Sequence, residues 1–496
     1  MIPTPTPESL LVLAVALPLC CALLLPLFHR SPSLREAVTL TCAALLALDV
    51  WSLLPHVLAG ARPEVSLARF GPGLEIALKA EPLGMLFALV AGSLWIVNSI
   101  YSIGYMRANG EPRQTIFYVC FAVAIASTMG VAFSKNLVSL FVFYEVLTLS
   151  TYPLVTHAGT PEAMRAGRVY IGILLGTSMG LLLPAIIATG ALAGTLDFTA
   201  GGILGGKVGT GTMGLLLALY VFGIGKAALM PFHFWLPAAM VAPTPVSALL
   251  HAVAVVKAGV FAVLKVIVCV FGIETLSISG AADWLAWAAG GTVIIASLVA
   301  LRQDNLKKRL AYSTISQLSY VVLAAAILTP ISAVGAAIHI AAHAVAKITL
   351  FFAAGSIYTA AHKTEIRDLD GIGRRMPWTM TAFAIGALGM IGVPPTAGFL
   401  GKWFMLQGAM QTGHWLVLGI ILLSTLLNAA YFLPIVYRAF FVAEPTISGD
   451  DHGHEDGHGE APLPMVIATT TTAAATVLLF LFPGVPFALA NMMIGG

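Results

Sequence analysis

Eight titratable side chains lie inside runs of apolar residues, where a charge is costly. They are Glu145, Lys226, His251, Lys257, His339, His343, Lys347 and Lys402. A lysine near the centre of a bilayer costs roughly 2.5–3.5 kcal/mol on insertion scales, so several of them in one chain need partners, water or a function. Lysine, glutamate and imidazole all bind and release protons. These residue types therefore predict a proton path at the depth of the membrane centre.

The segment IHIAAHAVAKITLFF has the most regular spacing of such groups. His339, His343 and Lys347 stand at positions i, i+4 and i+8. On a helix this spacing places all three on one face, over about 12 Å. An imidazole can accept a proton on one nitrogen and donate from the other, so the pattern predicts a relay. The alternative is that this face serves only for packing.

Glu145 and Lys226 are predicted to act together. Glu145 lies in the middle of NLVSLFVFYEVLTLSTYP, and Lys226 precedes the proline-interrupted stretch that contains Pro231. Two opposite charges at similar depth stabilise each other, since each reduces the cost of burying its partner. With the pair closed, Lys226 would keep its proton; with the pair open, it would release the proton to the next group. We therefore predict a switch.

Other polar groups have simpler interpretations. Lys265 near a helix end is expected to snorkel or pair structurally, and Asp49 to make a polar helix contact. His233 could either satisfy a broken helix or take part in transport. The segment GDDHGHEDGHGE, with His452, His454 and His458, could bind a divalent metal, but such a loop is more often only solvated. No metal site and no cofactor is predicted, because the five cysteines form no CxxC and no flavin, haem or nicotinamide signature is present.

The amino-acid composition indicates that the segments carrying these residues lie in a membrane. Of 496 residues, 59% are hydrophobic and only 9% are charged, against roughly 25% charged in a soluble domain. These values exclude a soluble, disordered, disulfide-rich or nucleic-acid-binding protein. They predict an all-α integral membrane protein in contact with the lipid bilayer. We predict about fourteen spans, at 9–28, 35–59, 82–106, 114–133, 136–156, 165–192, 211–240, 244–272, 281–301, 306–328, 332–361, 377–411, 413–441 and 463–487.

Basic residues predict how these spans are oriented. With both termini outside, the outer loops hold only Arg62, Arg69, Lys79, Lys135 and Lys207, and the inner loops hold about three times as many. The alternating segment Val65–Lys79 is predicted as a hairpin outside the membrane. The division is a three-helix segment with this external hairpin at 1–112, repeats at 113–273 and 274–442, a His- and acid-rich cytoplasmic loop at 443–462, and a C-terminal helix at 463–496.

Two spans are predicted to be broken. One contains Pro231 behind Lys226, and the other contains Pro394 and Pro395 before Lys402. Proline removes a backbone donor and clashes with the preceding turn. Breaks at membrane depth are tolerated only in buried protein or beside a wet cavity. Two breaks five spans apart predict an inverted repeat with a transport site in each half.

Several motifs together resemble a known family. They are FVFYEVLTLSTYPLV, GIGKAALMPFHFWLPAAMVAPTPVSALLHAVAVVKAG, LKKRLAYSTISQLSYV, HAVAKITLFFAAG and IGVPPTAGFLGKW. In this order, over about residues 80–440, they resemble the antiporter-like proton-pumping subunits of respiratory complex I, Mrp-type multisubunit cation/proton antiporters and membrane-bound hydrogenases. The resemblance implies fourteen helices, two inverted five-helix repeats and a lateral hydrophilic axis at mid-membrane. It also implies Glu145 as the partner of Lys226, Lys257 as a connecting lysine, His339, His343 and Lys347 as the central relay, and Lys402 as the terminal lysine.

The branch of this family is a finer question. Length and Lys402 look most like the D subunit of an Mrp-type antiporter, since the middle complex I member carries Glu where this chain has Lys402. The resemblance then implies a transporter subunit without enzymatic activity in the bacterial inner membrane, which moves protons and sodium with other membrane subunits as partners. The alternatives are a proton-pumping subunit of a complex I-like or hydrogenase redox complex, or of an inorganic-carbon uptake complex.

Overall fold

The computed structural model describes residues 6–71, 73–444 and 459–495 and is almost entirely helical within them. The first ten helices are α1 Pro7–Leu24, α2 Pro32–Leu58, α3 Pro82–Ala108, α4 Gln114–Ala132, α5 Leu137–Val155, α6 Pro161–Thr177, α7 Leu183–Ala193, α8 Thr210–Gly223, α9 Trp235–Ala238 and α10 Thr244–Ala248. The others are α11 Val255–Val266, α12 Ile273–Ser279, α13 Asp283–Arg302, α14 Leu306–Ala326, α15 Pro330–Ala361, α16 Ile372–Arg375, α17 Pro377–Ile391, α18 Ala397–Gln411, α19 Trp415–Phe441, α20 Leu463–Leu481 and α21 Gly484–Gly495. The fold class is therefore the all-α membrane class that the composition predicts.

Eleven helices of the described ranges are long and apolar enough to cross a membrane. Each coincides with one of the fourteen predicted spans. The other three predicted spans are the two broken ones and α14, which carries Lys307, Lys308, Arg309 and a series of serines. Length and apolarity do not identify a span that is interrupted or polar, so the count of fourteen and the inverted relation of the repeats stay predictions.

Two strands separate α2 from α3. β1 Glu64–Gly71 and β2 Leu74–Lys79 pair antiparallel, in the segment for which the alternating pattern predicts a hairpin. Lys135 holds this hairpin to the α4–α5 connection, with its Nζ 3.2 Å from Glu75 Oε1 and 3.5 Å from Glu64 Oε1. The hairpin therefore lies beside the α4–α5 turn.

Both proline-containing spans leave the helical path at their prolines. The chain is not α-helical between Gly223 and Trp235, nor between Ile391 and Ala397. The Met230–Pro231 and Pro394–Pro395 peptide bonds are cis. Side chains use the carbonyls freed at each break: Trp235 Nε1 donates to Gly225 O at 3.0 Å, and Lys402 Nζ donates to Ile391 O at 2.8 Å. Each break is thereby satisfied by protein groups.

Two glycines let neighbouring backbone approach these breaks. A Cβ on Gly259 of α11 would lie 2.3 Å from the carbonyl carbon of Lys226, and one on Gly398 of α18 would lie 1.8 Å from the carbonyl oxygen of Gly389. No side chain fits at such distances. Gly259 therefore fixes Lys226 against α11, and Gly398 packs α18 against the end of α17.

The C-terminal part differs from the predicted single helix at 463–496. It consists of α20, which ends at Leu481, and α21, which begins at Gly484. Pro483 lies between them and cannot donate the amide hydrogen bond that would continue α20. Of the predicted loop at 443–462, residues 445–458, including His452, His454 and His458, lie outside the described residues.

The most deeply buried helices are α15 and the run Thr244–Phe271, which comprises α10, a π-helical turn, α11 and a second π-helical turn. Both are strongly apolar apart from their titratable residues, and a helix that is apolar over most of its circumference is typically enclosed by other helices. Within the described chain α15 packs against α14, α17, α18 and α20. The two helices that carry most of the candidate titratable groups therefore form the centre of the molecule.

Candidate proton-transfer site

The site is centred where α11 meets α15. Lys257 of α11 and His343 of α15 are fully buried, and the ammonium Nζ is in hydrogen-bond contact with the imidazole Nδ1. They are 86 positions apart in the chain. A buried lysine against a buried imidazole has a direct route for exchange of a proton, because each group can hold the proton in turn.

A line of polar groups continues from His343 to the second break. His339 and His343 lie one helical turn apart, with ring centroids 6.2 Å from each other. His339 Nε2 is 2.9 Å from Gln317 Oε1 on α14. Gln317 Nε2 donates to Met390 O at 3.2 Å, and Lys402 Nζ donates to the same carbonyl oxygen at 3.2 Å. Lys257 and Lys402 thus lie at the two ends of a row of two imidazoles, one amide and one backbone carbonyl, in which the two imidazoles have no hydrogen bond to each other.

Lys347 lies on the predicted face of α15, but its ammonium turns away from the imidazoles. Its Nζ donates to Ser313 Oγ at 2.9 Å and to Leu310 O at 3.4 Å, both on α14. The hydroxyl of Tyr431 donates to the same Ser313 Oγ at 3.1 Å. Lys347 is therefore held in a polar pocket beside the His343–His339 line, with no direct hydrogen bond to it in the described residues.

The structure does not pair Glu145 directly with Lys226. Lys226 Nζ donates to Tyr144 O at 2.7 Å and to Thr148 Oγ1 at 2.5 Å, and it lies 3.1 Å from the centroid of the Tyr144 ring. Tyr144 and Thr148 share one face of α5, and Glu145 points about 100° further round the helix. The Glu145 carboxylate is buried and has no hydrogen-bond partner among the described residues. The predicted ion pair is therefore not formed in this conformation, and the switch stays a prediction.

His251 is also buried away from the line of polar groups. It lies in the π-helical turn Leu249–Val253, and its ring packs against Phe351 with centroids 4.7 Å apart. Neither ring nitrogen has a hydrogen-bond partner among the described residues. A π-turn at a titratable group is typical of functional segments of helices. His251 stays a candidate through its burial, without a contact to Lys257.

The sequence did not single out the polar residues of α14. Gln317 and Ser313 are fully buried, and they contact His339 and Lys347 respectively. The signal was the run STISQLSY, whose polar residues recur every three or four positions inside an otherwise apolar region. In a buried helix such a stripe marks the face that meets other polar groups.

We expect Gln317→Leu to slow proton transport roughly tenfold. Leucine removes both amide contacts, and one buried hydrogen bond contributes about 1–1.5 kcal/mol, which is about tenfold in a rate. The measurement is proton uptake by vesicles. Ser319→Ala is the matched control, because Ser319 is buried on the same helix and its hydroxyl has no partner in the described residues. Equal rates for the two variants would remove Gln317 from the path.

Two cavities lie at opposite ends of the central helices. The wide cavity, about 850 Å³, is lined by Tyr105, Thr244 and Lys307 among others. The narrow cavity, about 300 Å³, is lined by Pro82, Lys265 and Cys269 among others. Helix α3 begins at the narrow cavity and reaches the wide one near its end, and the run Thr244–Phe271 leads from the wide cavity to the narrow one. Lys257 stands about half-way along that run.

The minor candidates lie apart from the relay. Lys265 is buried and pairs with Glu81 at 3.1 Å. Asp49 is buried, and its carboxylate has no partner in the described part of the chain. The ring of His233 packs at 4.0 Å from Phe234. Among the described residues, no three His, Cys, Asp or Glu side chains come together as a metal site would require.

Comparison with known proteins gives a consistent relationship. Residues 134–428 match the protein family described as "NADH:quinone oxidoreductase/Mrp antiporter, TM". The chain is 31% identical over 444 residues to NADH-quinone oxidoreductase subunit N of Desulforudis audaxviator, covering 88% of this chain and 87% of that protein. It is 26% identical over 449 residues to the D subunit of a Na(+)/H(+) antiporter of Bacillus subtilis, covering 90% of each. Some other relatives are longer, and the chain covers 34%, 52% and 65% of three of them.

Two solved structures have the same fold. A chain of the Mrp complex from Dietzia sp. DQ12-45-1b superposes with a TM-score of 0.84 at 20% identity, covering 99% of this chain and 97% of that one. A chain of the membrane-bound sulfane sulfur reductase, an archaeal respiratory membrane complex, superposes with a TM-score of 0.86 at 24% identity, covering 98% and 97%. At these identities the likeness describes the fold alone.

Proposed function

The chain belongs to the NADH:quinone oxidoreductase/Mrp antiporter family of transmembrane subunits, and from this premise we propose that it is the proton-translocating subunit of a multisubunit sodium/proton antiporter. The complex would lie in the bacterial cell membrane with other membrane subunits as partners. The chain itself would translocate protons and would have no enzymatic activity. One observation carries the proposal: the buried line from Lys257 through His343, His339 and Gln317 to Lys402.

In this mechanism a proton held by Lys257 passes to His343 Nδ1, which is already in contact with the ammonium. His343 releases a proton from its other nitrogen, Nε2, which has no partner in the described chain and is free to bind a water. His339 accepts the next proton, and Gln317 holds its ring. Lys402 ends the line, where the carbonyls of the second break hold its ammonium. The net result is one proton moved from Lys257 to His339: the Lys257 N–H bond breaks as the His343 Nδ1–H bond forms, and the His343 Nε2–H bond breaks as a bridging water passes a proton to His339 Nδ1.

The wide cavity would admit protons to this line from the inner side. It is lined by Glu111 and Glu162 together with Arg165, Lys307 and Lys363, and such a mixture of charges holds water. Lys307 closes its floor, with Nζ donating to Ala242 O at 2.6 Å. By the positive-inside rule, loops this rich in basic residues face the cytoplasm.

A redox-driven complex is the second candidate. Its support is the 31% identity to the subunit N protein over most of both chains. An inorganic-carbon uptake complex is a third, since the same module could be driven by a soluble partner. Two features favour the antiporter: the presence of Lys402, and a match to the antiporter D subunit that covers 90% of both chains. The proton line would be the same in all three, and the neighbouring subunits would supply the driving reaction.

The partners and the exchanged cation can be tested together. We expect the gently solubilised complex to contain small multispan subunits and to exchange protons for sodium when reconstituted in vesicles. The measurement is the change of internal pH after addition of sodium, with choline as the matched control cation and potassium as a second cation. The antiporter proposal would be wrong if the complex contained iron–sulfur subunits and if proton uptake depended on a quinone reaction instead of on sodium. The redox-driven complex would then be the function.

A further inference from the structure

A second buried ion pair lies at the narrow cavity, on the same helix as Lys257. Lys265 Nζ is 3.1 Å from Glu81 Oε2, and the two side chains are 2% and 17% exposed. Lys265 also donates to Ser134 O at 2.7 Å. The lysine is thus enclosed, and the carboxylate faces the cavity. A structural tie would need no such opening beside it.

Lys265 stands on the same face of α11 as Lys257. The two are eight residues apart, with Phe261 midway, so the three positions are one turn apart along about 12 Å. Phe261 packs against Phe87 of α3, with ring centroids 5.1 Å apart, and both rings are buried. The ammonium of Lys265 lies 5.6 Å from the Phe261 centroid. The Phe87–Phe261 ring pair therefore lies beside the stretch of α11 between Lys257 and Lys265.

We propose that Lys265 and Glu81 form the outward end of a proton branch that leaves the relay at Lys257, with the Phe87–Phe261 ring pair as its closure. This proposal rests on the proposed function. When the rings move apart and admit water, a proton from Lys257 replaces the one that Lys265 gives up. Lys265 gives its proton from Nζ to Glu81 Oε2, which leaves both groups neutral. Glu81 then releases the proton to water in the narrow cavity and becomes a carboxylate again.

Two basic side chains lie near the Lys265–Glu81 pair. Lys79 Nζ lies 3.6 Å from Glu81 Oε1, and Arg62 lines the same cavity. Cys269 is the remaining titratable group that lines the cavity. Lys79 and Arg62 are two of the five basic residues predicted outside, although basic residues are rare there.

The first test exchanges Lys265 for arginine in the assembled complex. Lys265→Arg keeps the cation beside Glu81 but cannot release a proton, so we expect at least a tenfold loss of sodium-driven proton transport with normal assembly. Lys135→Arg is the matched control, because Lys135 pairs with acids of the hairpin near the same end of the helices, and it should stay within twofold of the wild type. Normal transport by Lys265→Arg, alongside loss in His343→Ala, would overturn the outward branch alone. Normal transport by His343→Ala would overturn the proposed function instead.

A second test decides the case in which Lys265→Arg does not assemble. Phe261→Ala opens the ring pair, and we expect a several-fold faster proton leak in vesicles that hold no sodium gradient. Phe232→Ala, which removes another aromatic contact in the same repeat at 6.0 Å from Phe222, is the control. An unchanged leak in Phe261→Ala would overturn the closure and, with it, the branch.

Chemical modification of Cys269 can show to which side of the membrane the narrow cavity opens. It lines the cavity and is partly exposed, whereas Cys21 is buried between α1 and α2. A membrane-impermeant thiol reagent added to intact cells should modify Cys269 and leave Cys21 unmodified, as read by peptide mass. Modification of Cys269 in inverted vesicles only would place the cavity on the inner side and overturn its outward role.

Discussion

Replacing His343 with alanine is expected to slow proton transport about a hundredfold, the usual contribution of one well-placed acid–base group. His343 is the only imidazole in the described residues that contacts Lys257, and it is one helical turn from His339. Alanine offers neither an acceptor nor a donor, so Lys257 would lose its contact with the line that leads to His339. The measurement is proton uptake in everted vesicles driven by a sodium gradient, with the amount of assembled complex checked by immunoblot.

Two further variants make this result specific. Lys347→Arg should be nearly as damaging, because the guanidinium keeps its proton and does not fit the single contacts of an ammonium to Ser313 and Leu310. Changing His452, His454 and His458 together to serine should have little effect, since their segment is predicted to be a solvated loop. Normal proton uptake in His343→Ala together with loss of uptake in the triple variant would place the proton route elsewhere.

The sequence was sufficient for the all-α membrane class and for the positions of eleven candidate spans, because these signals are local. Apolar length predicts a span, and a proline inside a span predicts a break, so the edges of α15 and the interruptions at Pro231 and Pro394 follow from neighbouring residues. The separation of α20 from α21 at Pro483 follows the same rule. It was missed because the apolar run itself continues through that residue.

Contacts between distant segments could not be predicted in the same way. The i, i+4, i+8 spacing correctly places His339, His343 and Lys347 on one face of α15. Their side chains nevertheless point to different partners: His343 contacts Lys257, and Lys347 contacts Ser313. Gln317 links His339 to Met390 only because the second break frees that carbonyl. Lys265 is predicted to snorkel or to pair structurally, and the structure pairs it with Glu81, a residue 184 positions earlier in the chain that the sequence does not identify as its partner.

The two lysines at the breaks, Lys226 and Lys402, are both buried, but the fold supplies them with different hydrogen-bond acceptors. Lys402 is held by the carbonyls of its own break, whereas Lys226 is held by the carbonyl of Tyr144 and the hydroxyl of Thr148 on another helix. An ammonium has three donors, and in low dielectric each must find an acceptor. In this conformation the Lys226 ammonium is held by neutral acceptors alone, and the Glu145 carboxylate has no hydrogen-bond partner among the described residues.

Replacing Lys226 with alanine is therefore expected to abolish proton-coupled transport and leave assembly largely intact. The variant removes the group whose proton is controlled by the distance to Glu145, and it leaves Glu145 buried without a cation. Glu145→Gln should lose transport for the complementary reason, because a neutral amide cannot hold the proton on Lys226. Both are measured as sodium-driven proton uptake at matched expression.

A third variant separates the switch from simple burial of charge. Thr148→Val removes the 2.5 Å contact of Lys226 to α5 but leaves Glu145 in place. If the neutral acceptors hold the open state, their loss moves the lysine toward the carboxylate, and the closed pair then keeps its proton. We expect slower transport in Thr148→Val and a return toward the wild-type rate when Glu145→Asp shortens the partner. Full activity of Lys226→Ala or of Glu145→Gln would show that these two charges do not control the proton, whatever Thr148→Val does.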